Sequence, residues 1–501
     1  MAASVTSNRR DVEQVVAKLI EIAEDVEAKT ADVEKRLWSG GLELGRALMG
    51  LFFAGAAKHH APMGAYEHED RSFAISPARL AARATPIGTL FGKVELVRPV
   101  GIAVDRGAAD LPVDRAIGLS GGFTHGVTMP IGQLAAQMSF AATREAFATF
   151  TEWTPSSRTV LRMVDALGEH ARTFLEKAEL PDDDGEILVI EVDGKGAPMV
   201  HPSELVRRQA RRPPRKGRTR RHDRRDRRRA VPRKRRQPGD KAKNAKVAVV
   251  GVIYTLRRTP DGLEGPINKR LIATFESHEA LFRWLRAEAD KRGYGRKTTL
   301  FLADGANIIW ELRERYFKNS IPCLDWYHTI EKLWMVAGDA ASSKDGKDGK
   351  DGARAAWIAA QKKRLRRGQL EDLLTELNEL WTRTPKTGPG NKAKRERLQS
   401  ILGHLGKHRQ DLRYHLLRRQ DFPIGTGVIE GAVRNLVGIR LDGPGMRWSR
   451  GRAERLLHLR CILLNRQWRD FDDFLRRDQR VVLLARPIPT LPHAAKLKTA
   501  A

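Results

Sequence analysis

The sequence predicts an α/β protein with a mixed five-stranded sheet, a helical insertion and a mainly helical N-terminal region. Apolar runs at residues 187–194 and 298–305 are of strand length, and each ends in an aspartate followed by a glycine. A run of β-branched and aliphatic residues this short is typical of a strand buried on both faces. Amphipathic segments of helical length separate the later strands, which indicates crossover connections.

The predicted sheet begins with residues 187–194, which read Ile-Leu-Val-Ile-Glu-Val-Asp-Gly. Residues 247–255 are again apolar, and residues 267–275 pair with them across a turn at residues 260–262. These three strands should form an antiparallel meander. A helix over residues 277–292 follows.

The second aspartate strand comes next, followed by a helix over 306–317, a short strand over 321–324 and a helix from Asp325. We expect these last two strands to join the sheet through parallel crossovers. The order of strands and helices, with acids at the ends of strands one and four, is the ribonuclease H topology.

Asp193 and Asp304 are the two strand-end acids. A single aspartate in a turn after a strand is a common structural feature. Two such residues on neighbouring strands would face each other and repel, and a divalent cation relieves that repulsion. The repeated pattern therefore predicts a site for Mg²⁺ or Mn²⁺.

The third candidate acid is Glu430, within a glycine-bounded turn that enters a helix at residues 423–435. Thr426 is the predicted N-cap, so Glu430 lies just over one turn into the helix, near the positive end of its dipole. A surface glutamate is the ordinary alternative. The many glycine and basic residues at 438–448 are unusual for a plain surface helix, and we expect Glu430 to complete a three-acid site for two cations.

The 501-residue chain carries a formal net charge of +30, which attracts a polyanion. Nucleic acid is the first candidate partner and an anionic membrane surface the second. The longest apolar candidate, residues 47–57, is too short to span a bilayer. The only cysteines, Cys323 and Cys461, exclude a disulfide framework and a zinc ribbon. They favour a reducing cytoplasm in contact with nucleic acid.

Composition and periodicity divide the chain into six predicted segments. They are an N-terminal helical region (1–60), a DNA-binding region with a hairpin (61–180), the first part of the sheet domain (181–340), a linker and helical insertion (341–420), the rest of the sheet domain (421–480) and a loose tail (481–501).

Within these segments, helices over 8–37 and 41–57 could pack on each other or on a second subunit. Residues 85–103 alternate around Phe91-Gly92, which predicts a hairpin. The Lys-Asp-Gly repeat at 344–352 is expected to be a solvated linker.

Two stretches are candidates for DNA contact. A helical segment over 133–147 is followed by a helix opened by Thr154-Pro155, with Ser157, Arg158 and Arg162 near its start. This order fits a helix-turn-helix whose last helix enters the major groove, although an ordinary helical hairpin fits equally.

The second stretch, residues 203–243, contains almost no apolar residue and cannot fold on a core of its own. Its arginines, among them Arg224, Arg225, Arg228 and Arg235, would neutralise phosphates and make binding salt-dependent.

Four motifs together resemble DDE transposases of bacterial insertion sequences, most of all the Kra-type group and its Mutator-like relatives. The motifs are Val192-Asp193-Gly194, Leu302-Ala303-Asp304-Gly305, Asp325-Trp326-Tyr327-His328, and the block 425–448 with Glu430 and Gly445-Met446-Arg447-Trp448. The third is similar to a (Cys or Asp)-x-x-His element of these relatives. The cysteine pairs of some relatives are missing here, so no zinc site is carried over.

The resemblance implies a ribonuclease H-like transposase that binds the ends of its insertion sequence, cuts DNA strands and joins their 3′-hydroxyl ends to target DNA. It implies two Mg²⁺ (or Mn²⁺) ions, with Asp193 bridging them and Asp304 and Glu430 each completing one site. By analogy, the partners are double-stranded DNA and a second copy of the chain, in a homodimer or larger assembly on DNA.

Two alternatives remain open for each accessory residue. Either His328 acts on the substrate, by contacting a phosphate or orienting a water, or it has a structural role, as a helix cap or a partner of Asp325. Arg447 would hold a phosphate, and Trp448 either stacks on an unpaired base or belongs to the core. A last helix over 452–476, with Cys461 as an inert buried thiol, is expected to pack on the sheet.

Two other functions are consistent with the same residues. One is a ribonuclease H-like nuclease that cuts without joining, and the other is an inactive nucleic-acid-binding protein kept for its basic arm. The presence of all three acids favours an enzyme.

Overall fold

A computed structural model describes most of the chain. The described residues are 5–75, 85–104, 109–119, 121–180, 183–201, 203–204, 206–207, 244–341, 347–443 and 445–477. They form two compact units: the first comprises the described residues up to 174 and those from 467 onward, and the second runs from 175 to 466. Arg224, Arg225, Arg228 and Arg235 of the basic stretch, and the predicted loose tail, lie outside the described residues.

Two long helices begin the first unit, α1 (Val5–Glu24) and α2 (Thr30–His60). They are separated at residues 25–29, so the predicted break near Gly40 is wrong and α2 continues through it. A Cβ on Gly40 would lie 2.5 Å from Leu19 Cδ2. Gly40 therefore allows the two helices to approach closely. The helices pack on each other, which is one of the two alternatives that the sequence left open.

Short strands follow in the first unit. They are β1 (Tyr66–His68), β2 (Arg71–Ile75), β3 (Thr85–Thr89), β4 (Gly92–Leu96), β5 (Gly101–Ala103) and β6 (Ala109–Asp110). The predicted hairpin is confirmed as β3–β4. Gly92, which follows the turn, has a φ of +122°, a backbone conformation that glycine adopts much more readily than other residues. The segment at 101–103 is not part of the hairpin, because it pairs with β2.

Four helices complete the described chain up to the boundary. They are α3 (Pro112–Ala116), α4 (His125–Gln137), α5 (Phe140–Thr151) and α6 (Ser157–Lys177). Ser139 accepts a hydrogen bond from Ala142 N and starts α5. Ser156 Oγ accepts from Thr159 N at 3.2 Å, so Ser156 is the N-cap of α6. The helix therefore begins after Thr154-Pro155, the pair predicted to open it.

A mixed five-stranded sheet is the centre of the second unit. Its strands are β7 (Ile187–Pro198), β8 (Ala245–Thr259), β9 (Gly262–Thr274), β10 (Thr298–Ala303) and β11 (Ile321–Leu324), in the order β11-β10-β7-β8-β9. β8 is antiparallel to both neighbours, whereas β10 and β11 run parallel to β7. The predicted meander and parallel crossovers are confirmed, and the arrangement is compatible with the expected ribonuclease H-like topology.

The helices that follow β9, β10 and β11 are α7 (His278–Lys291), α8 (Asn307–Tyr316) and α9 (Trp326–Ala340), and the first two of them are the crossovers. Ser277 Oγ caps α7 by accepting from Ala280 N at 3.1 Å. On the face of α7 toward the sheet, Leu285 fills the space above Gly251, where a Cβ would lie 2.7 Å from its Cδ1. The predicted bounds of α7 and α8 are correct within one residue at each end, and the predicted start of α9 is correct within one residue.

The helical insertion contains α10 (Lys347–Arg367), α11 (Leu370–Arg383), α12 (Asn391–Lys407) and α13 (Tyr414–Arg418). α10 starts inside the Lys-Asp-Gly repeat, so the predicted linker is wrong from Lys347 onward. Once a helix is nucleated each further residue adds a hydrogen bond, which lets the alanine-rich part of α10 extend backward. The insertion is held against α9 by Arg397, which contacts Asp339 at 2.7 Å.

The second unit ends with α14 (Gly427–Val433), a π-helical turn (Arg434–Gly438), α15 (Ile439–Leu441) and α16 (Arg450–Leu464). The predicted single helix over 452–476 is wrong, since α17 (Trp468–Arg477) is separate and belongs to the first unit. The break includes Arg466, whose φ of +62° is incompatible with a right-handed helix. Cys461 is fully buried, as predicted. None of the helices in the described ranges is long and apolar enough to cross a membrane.

A buried ion cluster joins α7 to the sheet. Glu288 accepts from Arg270 Nη1 at 2.8 Å and from Arg292 Nε at 3.2 Å. All three side chains are almost completely buried. Removing one member of such a cluster leaves the other charges buried without compensation, which is costly.

We predict that Glu288→Ala lowers the free energy of unfolding by about 3–5 kcal/mol. Glu279 is on the same helix as Glu288 but forms an exposed ion pair with Arg315 of α8. Glu279→Ala should therefore lower the free energy of unfolding by less than about 1 kcal/mol. Urea denaturation followed by circular dichroism measures both. Equal losses for the two variants would contradict the role given to burial.

Candidate active site

Asp193 and Asp304 lie side by side at one edge of the sheet. β7 and β10 are parallel with Val192 opposite Ala303, and each aspartate follows one of this pair. Asp304 Oδ1 accepts from Ala306 N at 3.0 Å, and Asp193 Oδ1 accepts from Gly194 N at 2.6 Å. One oxygen of each carboxylate is thus held by the backbone.

β7 does not end at Asp193, which corrects the sequence prediction. The strand continues to Pro198 and pairs there with β8, and Gly194 lies opposite Val249 in this extension. The parallel pairing of β7 with β10 ends one residue before Asp193, where Val192 lies opposite Ala303, the last residue of β10. Asp193 is therefore at the end of the β7–β10 pairing while still inside a strand.

Glu191 is a site residue that the sequence analysis missed. It lies two residues before Asp193, on the same face of β7, and is completely buried. Its Oε1 accepts from the Tyr254 hydroxyl at 2.7 Å and its Oε2 from Ile429 N at 2.8 Å. Because Ile429 precedes Glu430, the buried carboxylate holds the helix that carries the third acid. The available signal was a charged residue inside an otherwise apolar strand.

Asp325 provides a second attachment for the same helix. It is completely buried, and its Oδ1 accepts from Thr426 N at 2.8 Å. Its Oδ2 caps α9 by accepting from His328 N at 2.8 Å and also contacts His328 Nδ1 at 3.0 Å. Thr426 occupies the predicted N-cap position of α14, but its side chain makes no capping hydrogen bond to the helix.

The structure brings Glu430 close to Asp325 and His328. One potential ligand atom from each of these residues lies within 4.8 Å of the others, a compact grouping among the described residues. Glu430 is exposed, Asp325 is buried and His328 is half-buried. Asp193 and Asp304 lie outside this compact group but are close enough to share its electrostatic field.

The pKa values of the acids reflect this crowding of negative charge. Burial raises the pKa of Asp193, and the carboxylates of Asp304 and Asp325 raise it further. The pKa of Glu430 is also raised, first by partial burial and then by Asp325, with a contribution from Asp193. Like charges that raise one another's pKa values form a site that a divalent cation stabilises.

His328 and Asp325 form an ion pair beside these acids. The hydrogen bond to Asp325 raises the pKa of His328 to about 9. Burial alone would raise the pKa of Asp325, but hydrogen bonds from His328 and Thr426 outweigh burial and lower it. Of the alternatives for His328, the structure shows the bond to Asp325. Since both oxygens of Asp325 already accept hydrogen bonds, it is better suited to orienting its neighbours than to binding a metal.

Trp448 is part of the core, which decides between its two alternatives and corrects the candidate role in stacking on DNA. Only 6% of its surface is exposed, and its indole N–H donates to the Leu441 carbonyl at 2.9 Å. The Arg440 guanidinium lies 5.1 Å from the ring centre. Arg447 is exposed, but Glu204 pairs with it at 3.1 Å, so a phosphate would have to displace that carboxylate.

The other predicted DNA contacts lie in the first unit. Ser157, Arg158 and Arg162 are exposed on the first two turns of α6, whose opposite face buries Val160 and Met163. Their role in the major groove remains a prediction.

Comparisons with known proteins found no matching family model and no matching curated protein. Among solved structures, the chain is similar to a Drosophila P element transposase in its strand transfer complex. The TM-score is 0.30 at 9% sequence identity, and the match covers 68% of this chain and 92% of that chain. A TM-score of this size does not establish a common fold, so the proposals below depend on the residues of this chain alone.

We predict that Glu191 makes the stability of the metal-free protein depend on pH. Burial raises the pKa of Glu191 to about 7, against an ordinary value of 4.5. The folded state thus holds a proton that the unfolded state releases, so the free energy of unfolding should fall as pH rises from 4.5 to 7.

The loss attributable to Glu191 should be about 3 kcal/mol. Chemical denaturation in EDTA across this pH range measures it, with Glu191→Gln compared to the wild type. The variant, which has no titrating carboxylate, should show a flatter pH dependence. Parallel profiles for the two proteins would contradict the assignment.

Proposed function

We propose that this protein is a DDE-type transposase that cuts DNA at the ends of its element and joins the 3′-hydroxyl ends to target DNA. The proposal is supported by three acids that are remote in sequence. The register of β7 and β10 sets Asp193 beside Asp304. Hydrogen bonds to Glu191 and Asp325 hold the helix that carries Glu430, and Asp193 is close enough to raise the pKa of Glu430.

Asp193, Asp304 and Glu430 would hold Mg²⁺ (or Mn²⁺), and their carboxylate oxygens are the ligand type these ions prefer. The mutual repulsion of the acids supports this assignment. When bound, the ions would activate a water or a 3′-hydroxyl for attack on phosphorus and stabilise the leaving oxygen.

The residues around the acids have supporting roles. Backbone N–H groups of Gly194 and Ala306 orient the two aspartates. His328 would be protonated at neutral pH, and Asp325 fixes its ring through Nδ1. The imidazolium would donate a charge-assisted hydrogen bond to an oxygen of the bound phosphodiester.

The partner of this site would be double-stranded DNA. The net charge of +30 favours binding to a polyanion. Ser157, Arg158, Arg162 and the basic stretch would supply further contacts with the inverted-repeat ends and the target. Two DNA ends must meet for joining, so we propose a homodimer or larger assembly on DNA, in the cytoplasm and associated with the nucleoid.

The first test uses duplex DNA carrying the inverted repeats expected to bracket the reading frame, with Mg²⁺. Asp193→Asn, Asp304→Asn and Glu430→Gln should each reduce cleavage at least about a thousandfold, because each removes a metal ligand from the transition state. DNA binding in EDTA should stay within about threefold of the wild type, since only a small part of the contact surface changes.

Glu331→Gln is the matched control, because Glu331 is an exposed acid close enough to raise the pKa of Glu430. It should keep cleavage within about threefold, as it is not a proposed ligand. Unchanged cleavage in the three ligand variants would exclude the proposed site and favour a non-enzymatic binding protein.

The second test separates a transposase from a nuclease that only cuts. Precleaved ends with free 3′-hydroxyl groups are incubated with the protein, Mg²⁺ and a circular target. We expect covalently joined products that depend on Asp193. Nicked target without joined products, at full cleavage activity, would instead assign a nuclease function.

A further inference from the structure

The helical insertion contains a groove whose lining is strongly basic. It has a volume of about 400 Å³. Four cations of α10 and one of α13 line it, together with Ala359: Lys362, Lys363, Arg366, Arg367 and Arg418. The four on α10 are spaced i, i+1, i+4 and i+5, which places them on one face of the helix.

The opposite face of α10 fixes the groove in place. Ile358, Gln361 and Leu365 are almost completely buried. Arg364, also off the cationic face, pairs with Glu376 of α11. The helix is therefore anchored by one side, and its row of cations faces the solvent.

The five cations have no acidic partners in the described part of the chain. None of them forms an ion pair with a carboxylate there, in contrast to Arg364. Like charges one turn apart on a helix repel each other, so the unbound groove is electrostatically unfavourable. A bound polyanion would remove that repulsion.

The groove shares an arginine with a second cleft, which lies beside the helix that carries Glu430. Arg366 lies over the ring of Trp326, 5.0 Å from its centre, and Trp326 directly follows Asp325. Arg418 lines both this groove and a second cleft of about 530 Å³. Tyr327, Gly425 and Gly427 line the second cleft, at the start of the helix that carries Glu430.

The spacing of the cations suits one strand of DNA. From Lys362 to Arg367 the helix axis rises about 7.5 Å. Each strand of duplex DNA carries one phosphate per about 3.4 Å of the axis, which gives about two phosphates over the same length. The cations of α10 therefore outnumber the phosphates of one strand that would lie along them, so each of these phosphates can contact at least one cation.

We propose that this groove binds the sugar–phosphate backbone of DNA next to the phosphodiester held at Asp193, Asp304 and Glu430. The helical insertion is then a DNA-binding element that leads the strand past Arg418 and Tyr327 to the acids. The proposal rests on the proposed function for the identity of the strand that is cut, whereas contact between groove and DNA stands by itself.

The first experiment measures DNA binding by the full chain in EDTA, where no cleavage takes place. Lys363→Ala combined with Arg367→Ala removes two exposed cations of the groove. Lys386→Ala combined with Lys392→Ala removes two exposed cations elsewhere in the insertion and is the matched control. Fluorescence anisotropy with a duplex is recorded over a range of salt concentrations.

The groove variant should reduce the slope of log K against log salt by about 2, because each lost phosphate contact contributes about 0.9. The control variant should leave the slope within about 0.5 of the wild type, since it removes no phosphate contact. Equal losses in the two variants would mean that only net charge matters and would overturn the proposal. An unchanged slope in the groove variant would overturn it as well.

The second experiment locates the DNA. An iron chelate that generates hydroxyl radicals is attached to Lys363→Cys, and the two native cysteines, Cys323 and Cys461, are buried and should not react. Strand breaks are expected within about one helical turn, roughly 10 base pairs, of the position cleaved with Mg²⁺. Breaks spread evenly over the duplex would contradict the proposal.

The two proposals fail in different ways. If the protein does not cleave the inverted-repeat DNA or does not form joined products, the transposase assignment is contradicted. Neither result changes the expected slope of log K against log salt for DNA binding. Asp193→Asn should retain the wild-type slope, so a groove that binds DNA remains detectable in a protein without catalytic activity.

Discussion

Two buried carboxylates hold the first turn of α14, and the candidate active site depends on these hydrogen bonds. The N–H groups at the start of a helix have no partners within the helix. Here Asp325 accepts from Thr426 and Glu191 accepts from Ile429, both at 2.8 Å. Burying a carboxylate is costly unless it is hydrogen-bonded. The raised pKa of Glu191, about 7, reflects that cost. The helix that carries Glu430 is thus fixed to β7 and α9, the elements next to the two aspartates.

This arrangement separates charge of opposite sign within the second unit. Acids are concentrated at the edge of the sheet, where burial and neighbouring carboxylates raise the pKa values of Asp193 and Glu430, and His328 is the adjacent cation. Cations that have no carboxylate partner among the described residues line the groove of the insertion, which shares Arg418 with the cleft at the start of α14. A nucleic acid strand that lies along the groove would neutralise the cations, while divalent ions would neutralise the acids. The two kinds of site would then act on the same phosphodiester backbone.

Sequence patterns predicted the sheet well and the helix ends less well. The strands of the second unit, the helices after β9, β10 and β11, and the location of Asp304 after β10 and of Glu430 within α14 followed from apolar periodicity and from glycines. The prediction of one helix over 452–476 was wrong. The apolar stripe continues through this segment and does not reveal that Arg466 adopts a left-handed conformation, which ends one helix before the boundary between the two units. The sequence left the role of Trp448 open for a related reason, since an aromatic residue among glycines and arginines can face either DNA or the core.

The sequence by itself determined the order of strands and helices, the strongly basic character of the chain and the acids that could bind metal. These properties depend on local patterns or on composition. Only the tertiary structure decided the pairing of Val192 with Ala303, the burial of Trp448 and the role of Glu191. The contact between Glu191 and Ile429 joins residues 238 positions apart. Such a contact arises when elements pack against each other, so no local pattern contains it.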